Sequence, residues 1–428
     1  MRVGICSLGC KVNIYESEYV EELLRGAGYE IVSFDDVADI YIINTCSVTN
    51  EADKKSRKMI SKAKRRNNNA LIVVMGCYSQ VKANEVDADI VLGNKDKSKI
   101  LMYLDNYFKD RNSLKKIYNL REESIFEDMF ISEFINHTRA FVKIQDGCNA
   151  FCSYCIIPYT RGRVRSKDYN LVIEEVTNLV NKGYREVVLT GIHTGRYGID
   201  LENMNLEKLL RGLVQIDGLY RVRLSSIEIN EITDGIMDLI KSSKVIARHF
   251  HIPLQSGCDK ILKSMNRKYD LEYFKEKVSE IRKLDKDISI TTDLIVGFPG
   301  EDDDDFLETI DTLKELKFTK IHTFPYSKRD GTPASMMSNQ VDGLVKKKRV
   351  REVLDLSNRY EREYYLSYVG EVLDGLVEVH KDGRVIVLTS NYIPVIVDSK
   401  LESNDVVRVK IDRVDEKIQV YGTVIENN

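Results

Sequence analysis

Three cysteines, Cys148, Cys152 and Cys155, stand in Gly147-Cys148-Asn149-Ala150-Phe151-Cys152-Ser153-Tyr154-Cys155, a Cys-x3-Cys-x2-Cys spacing with an aromatic before the last thiol. Three thiolates on one short loop can hold three irons of a 4Fe-4S cube and leave the fourth iron without a protein ligand. Electron-carrier clusters take four cysteines, so a missing fourth points to a cluster that binds something else at its open iron. The competing chemistry is a structural zinc knot, which wants a fourth Cys or His close by. The next histidine, His193, lies 38 residues beyond Cys155, and the balance falls to iron and sulfur.

A second trio is dispersed. Cys10, Cys46 and Cys77 each follow an apolar run, at residues 5–8, 41–44 and 72–75. In an open parallel sheet the loops at the carboxyl ends of the strands converge on one crevice, so cysteines at equivalent loop positions approach one another. This predicts a second cluster site, again with three thiolates and one open iron. Cys6 is expected within a strand, facing a core, and Cys258 near a turn as a packing residue.

These loops need elements to position them. The chain has 428 residues, enough for two or three domains, with 43% apolar and 31% charged residues. No apolar run reaches membrane-spanning length and the first residues lack a signal-peptide pattern, so a cytoplasmic protein without a membrane partner is expected. Eight cysteines in that compartment argue for metal or redox chemistry over disulfides. The net charge of −3 advertises no global attraction to nucleic acid.

The fold class expected is α/β. Residues 1–109 alternate short apolar runs with helical patterns, the signature of an open parallel sheet. The pattern is lost in the charged stretch 110–137, read as a linker. Residues 138–344 repeat the alternation with strands at 140–145, 186–190, 221–225, 249–253, 288–296 and 320–325, a partial (β/α)6 TIM-like barrel. The loop bearing Cys148, Cys152 and Cys155 then lies past the first barrel strand, at the end where barrel active sites sit. A basic connecting helix is expected at 345–367, and short β-branched strands over 368–428 predict a small β-barrel.

Together these features resemble the radical S-adenosylmethionine (SAM) methylthiotransferase family. The resemblance rests on Ser7-Leu8-Gly9-Cys10-Lys11-Val12-Asn13, Asn44-Thr45-Cys46-Ser47-Val48-Thr49, Met75-Gly76-Cys77, Pro158-Tyr159-Thr160-Arg161-Gly162-Arg163 and Val296-Gly297-Phe298-Pro299-Gly300-Glu301. It covers nearly the whole chain and implies a methylthiotransferase domain at 1–109, a radical SAM domain at 138–344 and a TRAM domain at 368–428. Gly9-Cys10-Lys11-Val12-Asn13 and the segments around His251 and Phe324 resemble the branch that acts on N6-threonylcarbamoyladenosine in tRNA.

The resemblance implies two 4Fe-4S clusters and SAM as cofactors. Cys148, Cys152 and Cys155 would hold the SAM-cleaving cluster, and Cys10, Cys46 and Cys77 an auxiliary cluster carrying the sulfur to be donated. One SAM would supply the methyl group and a second the radical that removes hydrogen from carbon 2 of the adenine. SAM contacts are expected from Tyr154 and from strand-end positions Thr190, Gly191, Ser226, Glu228, Gln255, Val296 and Gly297. Implied partners are the tRNA anticodon stem-loop and an electron donor such as flavodoxin or ferredoxin. The alternatives are the same chemistry on isopentenyladenosine, or a non-enzymatic iron–sulfur electron carrier or redox sensor.

Three basic runs beside the expected crevice suit phosphate contact: residues 54–66, Lys346 to Arg351, and Arg161, Arg163, Arg165 and Lys167. Residues 368–428 carry seven Lys and Arg against eleven Asp and Glu, a net of −4 that departs from a basic RNA-binding module. The acidic run Asp302 to Asp305 precedes an expected helix, where carboxylates offset the helix dipole.

Overall fold

A computed structural model of the chain describes residues 1–134, 137–379 and 383–425. A six-stranded parallel sheet comes first: β1 (Arg2–Ser7), β2 (Glu30–Val32), β3 (Ile40–Thr45), β4 (Leu71–Gly76), β5 (Ile90–Leu92) and β6 (Leu114–Lys116), in the order β2-β1-β3-β4-β5-β6. The helices α1 (Lys11–Gly26), α2 (Asn50–Arg66), α3 (Cys77–Lys82) and α4 (Ile100–Asp110) accompany it. The central strands β3 and β4 are buried throughout, because helices cover both faces. Ile40, Ile42 and Val73 enter one core, while Tyr41, Ile43 and Val74 enter the other. This is why these segments are near-continuous apolar runs. Helix α2 starts where the Thr49 side chain accepts a hydrogen bond from the Ala52 amide at 3.1 Å.

The second unit has strands β7 (Ala140–Lys143), β8 (Gln145–Asp146), β9 (Arg165–Ser166), β10 (Glu186–Thr190), β11 (Arg221–Leu224), β12 (His249–His251), β13 (Ser289–Val296) and β14 (Lys320–Pro325). Its helices are α5 (Ile157–Arg161), α6 (Tyr169–Asn181), α7 (Leu206–Leu213), α8 (Asp234–Ser242), α9 (Asp259–Ser264), α10 (Leu271–Leu284) and α11 (Asp303–Leu316). Two parallel three-stranded sheets, β11-β10-β7 and β12-β13-β14, meet at a bridge between Val222 and Ile246. The six strands thus curve in chain order into a partial barrel. Among the described residues no pairing joins β14 back to β7, so one side is open. The acidic run acts as a cap for α11: Asp302 and Asp305 each accept the other's backbone amide, at 2.9 and 3.0 Å.

After α12 (Gly343–Leu366), strands β15 (Val372–Val379), β16 (Val385–Thr389), β17 (Pro394–Val397), β18 (Val406–Val414) and β19 (Val420–Ile425) close into a small barrel around Val377, Val387, Val395 and Ile411. Its β16–β17 turn seats against the strand-start end of the larger barrel. Arg221 and Arg223 donate to the carbonyls of Leu388, Thr389 and Ser390 at 3.0–3.3 Å, and Ser289 donates to the Asn391 carbonyl at 2.7 Å.

Stretch 110–137 departs from the expected linker. It supplies the edge strand β6, and Phe126, Met129, Ile131 and Phe134 are buried. Its backbone is tied down as well: Tyr15 and Lys167 both donate to the Met129 carbonyl, at 2.7 and 2.6 Å. Large apolar residues spaced irregularly among charges carry no helical or strand period, which is why the pattern looked empty. The short strands β2, β8 and β9 were also beyond the sequence reading.

The sheet and the barrel are joined by a buried ionic network. Glu16 of α1 is 0% exposed and meets Lys97 at 2.6 Å, Lys143 of β7 at 2.8 Å and Arg161 of α5 at 2.7 Å. Asp146 meets Lys143 at 2.7 Å and Arg161 at 3.2 Å. Burial alone would raise the Glu16 carboxyl, but Arg161, Lys143 and Lys97 outweigh it and hold the group well below the usual carboxylate range. Removing a partner from such a network leaves uncompensated buried charge. We therefore expect Glu16→Ala to destabilise the chain by about 3–5 kcal/mol in urea unfolding, against about 1 kcal/mol for loss of the α2 cap in Thr49→Ala. Equal, small effects would show that the network is not what joins the two units.

Candidate functional site

The second trio is assembled by sheet topology. Strands β1, β3 and β4 are neighbours, with Ser7 opposite Asn44 and Thr45 opposite Gly76, so Cys10, Cys46 and Cys77 leave the same sheet edge together. Gly9 has a φ of +101°, and a Cβ there would lie 2.9 Å from the Cys46 sulfur, so only glycine leaves the thiol its space. Asn13 holds the loops by donating to the carbonyls of Leu8 and Thr45 at 2.7 and 3.0 Å. Cys46 and Cys77 are buried, and Cys10 is solvent-accessible. Burial, then the neighbouring Cys77, pushes the Cys46 thiol up to about 11. Surrounding protein also raises Cys10, against the pull of Arg161.

The first trio follows β8, where Gly147 turns the chain at a φ of +75° and a Cβ would collide with the Arg163 carbonyl. The loop is anchored by backbone hydrogen bonds from Cys148 to Gly162 at 2.9 Å and from Cys155 to Cys152 at 3.0 Å. Phe151, within it, has a left-handed φ of +48°, a strained conformation for a bulky side chain. Burial, then Cys152, raises the Cys155 thiol to about 12.

Charged side chains surround this loop. Arg267 donates to the Cys152 sulfur at 3.3 Å and is paired with Glu228. His193 Nδ1 lies 3.2 Å from the Cys148 sulfur, while its Nε2 faces Glu231 at 2.8 Å. Burial would lower this histidine, but hydrogen bonds to Cys148 and Glu231 outweigh it and raise it to about 10. A cleft of about 330 Å³ opens here, lined by Asn149, Cys152, His193, Glu228, Glu231 and Arg267 among others.

The donor sets fit clusters better than single ions. Among the described residues, no three or more His, Cys, Asp and Glu side chains are placed to hold one metal ion. A cube spreads its thiolates over separate irons, so its ligands stand farther apart than those of a zinc knot. Each trio is all-thiol, has three members and sits on loops that glycines hold open. The segments that carry the two trios are linked through one side chain: Asn94 Nδ2 donates to the Cys77 sulfur at 3.4 Å and to the Thr160 carbonyl of α5, five residues after Cys155, at 2.9 Å.

The remaining expected contacts scatter. Glu228 lines the cleft, and Ser226 is half-buried beside it in sequence. Thr190 is buried, and Gly191 packs against Gln145, whose side-chain oxygen accepts the His193 amide at 2.8 Å. Gln255 adopts a φ of +68° and bridges to β13. Val296 is in the core, and Gly297 gives its amide to Glu301 at 2.8 Å. Tyr154 packs with Cys258, Met265 and Phe298, and Cys258 is the packing residue expected. Arg267 and Glu231 escaped the sequence reading, and His193 was given no role; only the stretch around Gly191 signalled this region.

One basic run is not an RNA surface. Arg161, Arg165 and Lys167 are buried, bound to Glu16, Asp146 and Glu175; Arg163 alone of the four is exposed. Arg349 of the α12 run is likewise buried, against Glu301 at 2.7 Å. In α2, Lys54, Lys62, Lys64 and Arg66 pair with carboxylates, whereas Lys55 and Lys58 are exposed without an ion pair among the described residues.

Comparisons with known proteins agree with this construction. Residues 2–93 match the model of Uncharacterized protein family UPF0004, and residues 142–313 match that of the Radical SAM superfamily. The chain is 43% identical to the threonylcarbamoyladenosine tRNA methylthiotransferase MtaB of Bacillus subtilis, over 96% of this chain and 93% of that protein. It is 37% identical to the tRNA-2-methylthio-N(6)-dimethylallyladenosine synthase of Thermoanaerobacter pseudethanolicus, over 86% of this chain and 80% of that one. In fold it is similar to the radical SAM methyltransferase TsrM of Kitasatospora setae, solved with cobalamin and a 4Fe-4S cluster, at a TM-score of 0.56 and 14% identity over 78% and 77% of the two chains. Sharing 43% identity with a tRNA methylthiotransferase over 96% of its own length, the chain belongs to the radical SAM tRNA methylthiotransferase family.

Proposed function

We propose that this protein adds a methylthio group to carbon 2 of N6-threonylcarbamoyladenosine beside the anticodon of tRNA. The observation that carries it is the closeness of the two cysteine-bearing segments: Asn94 donates both to the Cys77 sulfur and to the Thr160 carbonyl, in the helix that follows the loop of Cys148, Cys152 and Cys155. Cys148, Cys152 and Cys155 would hold the cluster of the barrel mouth, and Cys10, Cys46 and Cys77 the auxiliary one. When bound, the clusters and SAM supply radical cleavage of an unactivated C–H bond and the sulfur and methyl group that replace it.

The chain's own residues position and insulate that chemistry. Arg267 donates to the Cys152 sulfur, and Arg161 sets a fixed positive charge near Cys10 that opposes the upward push of burial on that thiol. Glu228 and Glu231 give the cleft acceptors for the polar groups of SAM, with Thr190, Gly191, Ser226, Gln255, Val296, Gly297 and Tyr154 as further contacts around the strand ends. The exposed Lys55 and Lys58 on α2, and Lys347 and Lys348 on α12, are among the cations placed to meet RNA phosphates. The anticodon loop suits the site because a single-stranded loop can splay its base out of the stack. An electron donor of the flavodoxin or ferredoxin class would serve the barrel site in the cytoplasm.

The relative at 37% identity keeps dimethylallyladenosine as a second reading of the substrate. Mass spectrometry of tRNA nucleosides from cells with and without the gene separates the two. We expect the 2-methylthio derivative of threonylcarbamoyladenosine to vanish and that of dimethylallyladenosine to persist; the reverse would move the protein to the sister activity. Anaerobic reconstitution should load about eight irons per chain, falling to about four when Cys148, Cys152 and Cys155 are all replaced by Ala. A wild-type plateau at half that loading would refute the second cluster. Lys55→Gln with Lys58→Gln should lessen the slope of log Kd against log salt for tRNA by about 2. An unchanged slope would place the RNA elsewhere.

A further inference from the structure

Beyond β14 the chain passes through Ser327, Arg329 and Ala334 before it reaches α12, and this segment is held at two places. The first is Arg329, which is buried although it lies on a loop. Its guanidinium reaches out of the barrel unit to the loop between β3 and α2 of the sheet unit. It donates to the Ser47 hydroxyl and to the Asn50 side-chain oxygen, both at 2.8 Å, and pairs with Asp53 at 2.9 Å. Ser47 directly follows Cys46, and its hydroxyl donates in turn to Asp53 at 2.8 Å. Ser327 adds another tie by accepting the Asn50 amide at 3.0 Å, one of the donors that the first turn of a helix leaves unpaired.

A turn follows. The Thr332 amide and hydroxyl both return to the Arg329 carbonyl, at 3.1 and 2.7 Å, with Gly331 at a φ of +83°. Ala334 then donates its amide to the Ser153 carbonyl at 2.8 Å, and Ser153 stands between Cys152 and Cys155. This second tie has apolar support: Tyr326 and Ala334 share a buried cluster with Met265 and Phe298, against which Tyr154 packs. One segment therefore grips the loop of Cys46 with a side chain and the loop of Cys152 and Cys155 with its backbone. Arg329 and Ala334 are five residues apart. Even a fully extended chain would hold them within about 18 Å, and the turn brings them closer.

The same residues wall a cleft of about 650 Å³. Asn50, Asp53 and Arg329 line it together with Tyr78, which follows Cys77, and with Ile156 and Tyr159, which follow Cys155. A looser fit at Arg329 would therefore alter the spacing across this cleft while touching none of the six thiols. Arginine suits the task because its planar guanidinium presents donors in fixed directions and meets three acceptors at once, which a lysine ammonium on a flexible stem does less well. The Glu16 network ties the sheet unit to the first barrel strand and the helix after the cysteine loop. Arg329 ties it to the loop after the last strand, so the two attachments hold the barrel at both ends of its curved sheet.

We propose that Arg329 is a positioning residue: it fixes the loop of Cys46 against the barrel and so sets the spacing between the two cysteine trios on which coupling of SAM cleavage to methylthio transfer depends. The proposal rests on the function proposed above and adds the residue that keeps its two halves in register.

The test uses the reconstituted holoenzyme as wild type, Arg329→Met, Arg329→Lys and Asn50→Ala, with iron per chain measured on each. Two anticodon stem-loop RNAs are supplied, one bearing N6-threonylcarbamoyladenosine and the other N6-dimethylallyladenosine. Three quantities are read: 5′-deoxyadenosine formed without RNA, methylthiolated product per 5′-deoxyadenosine on the RNA that the wild type modifies, and the magnetic coupling between the two reduced clusters by electron paramagnetic resonance. Arg329→Met should keep its iron and its RNA-free SAM cleavage and show a changed coupling. Its product per 5′-deoxyadenosine should fall about 10- to 100-fold, the effect of a misplacement of about 1 Å. Arg329→Lys should recover part of that loss. Asn50→Ala removes one acceptor at an exposed helix start and should lower the ratio about fivefold with iron retained, so it decides the matter if Arg329→Met loses iron. Iron-loaded variants with ratio and coupling unchanged, or loss of iron from all three, would overturn the positioning role and leave the function standing. A wild type that cleaves SAM yet methylthiolates neither RNA would overturn the function itself, while the magnetic coupling still decides whether Arg329 sets the spacing.

Discussion

The carboxylate of Glu16 is the point on which this architecture turns. It is fully buried, and a lone ion in such a place would cost far more than any fold can offset. Its three cations come from separate places: Lys97 from the sheet unit, Lys143 from the first barrel strand and Arg161 from the short helix after the cysteine loop. None of these can be withdrawn without stranding charge, so the sheet and the barrel hold a fixed relation. That relation is what brings a trio built by three strands beside a trio built by one loop. Arg161 also donates to Asn13 at 2.6 Å, and Asn13 in turn pins the Cys10 and Cys46 loops.

Much of the site was legible because its rules are local. A Cys-x3-Cys-x2-Cys loop declares its ligands by spacing alone, and cysteines just past apolar runs become neighbours once those runs are parallel adjacent strands. The barrel was readable from its regular alternation of short strands with amphipathic helices. The fates of Arg161, Arg165 and Lys167 were not readable. A basic run looks the same whether it faces phosphate or a buried carboxylate, and the carboxylate that claims Arg161 lies 145 residues earlier. His193 and Arg267 escaped for a related reason: each reaches a cysteine of the loop across 45 or 115 residues, a distance no local pattern spans.

The acidic balance of the C-terminal barrel has a structural counterpart in where it sits. Its β16–β17 turn offers carbonyl oxygens to Arg221 and Arg223 and an aromatic ring to His249, so it meets the cationic starts of the large barrel's strands. Tyr392 holds a left-handed φ of +69° to place its ring there, a strained backbone maintained by the hydrogen-bonded turn around it. The partial barrel is consequently covered at its floor by the small barrel, and α12 lines the free edge of β14, where Ser357 accepts the Ile321 amide at 2.9 Å. The small barrel at the floor and the Glu16 network at the flank thus fix the large barrel from two directions.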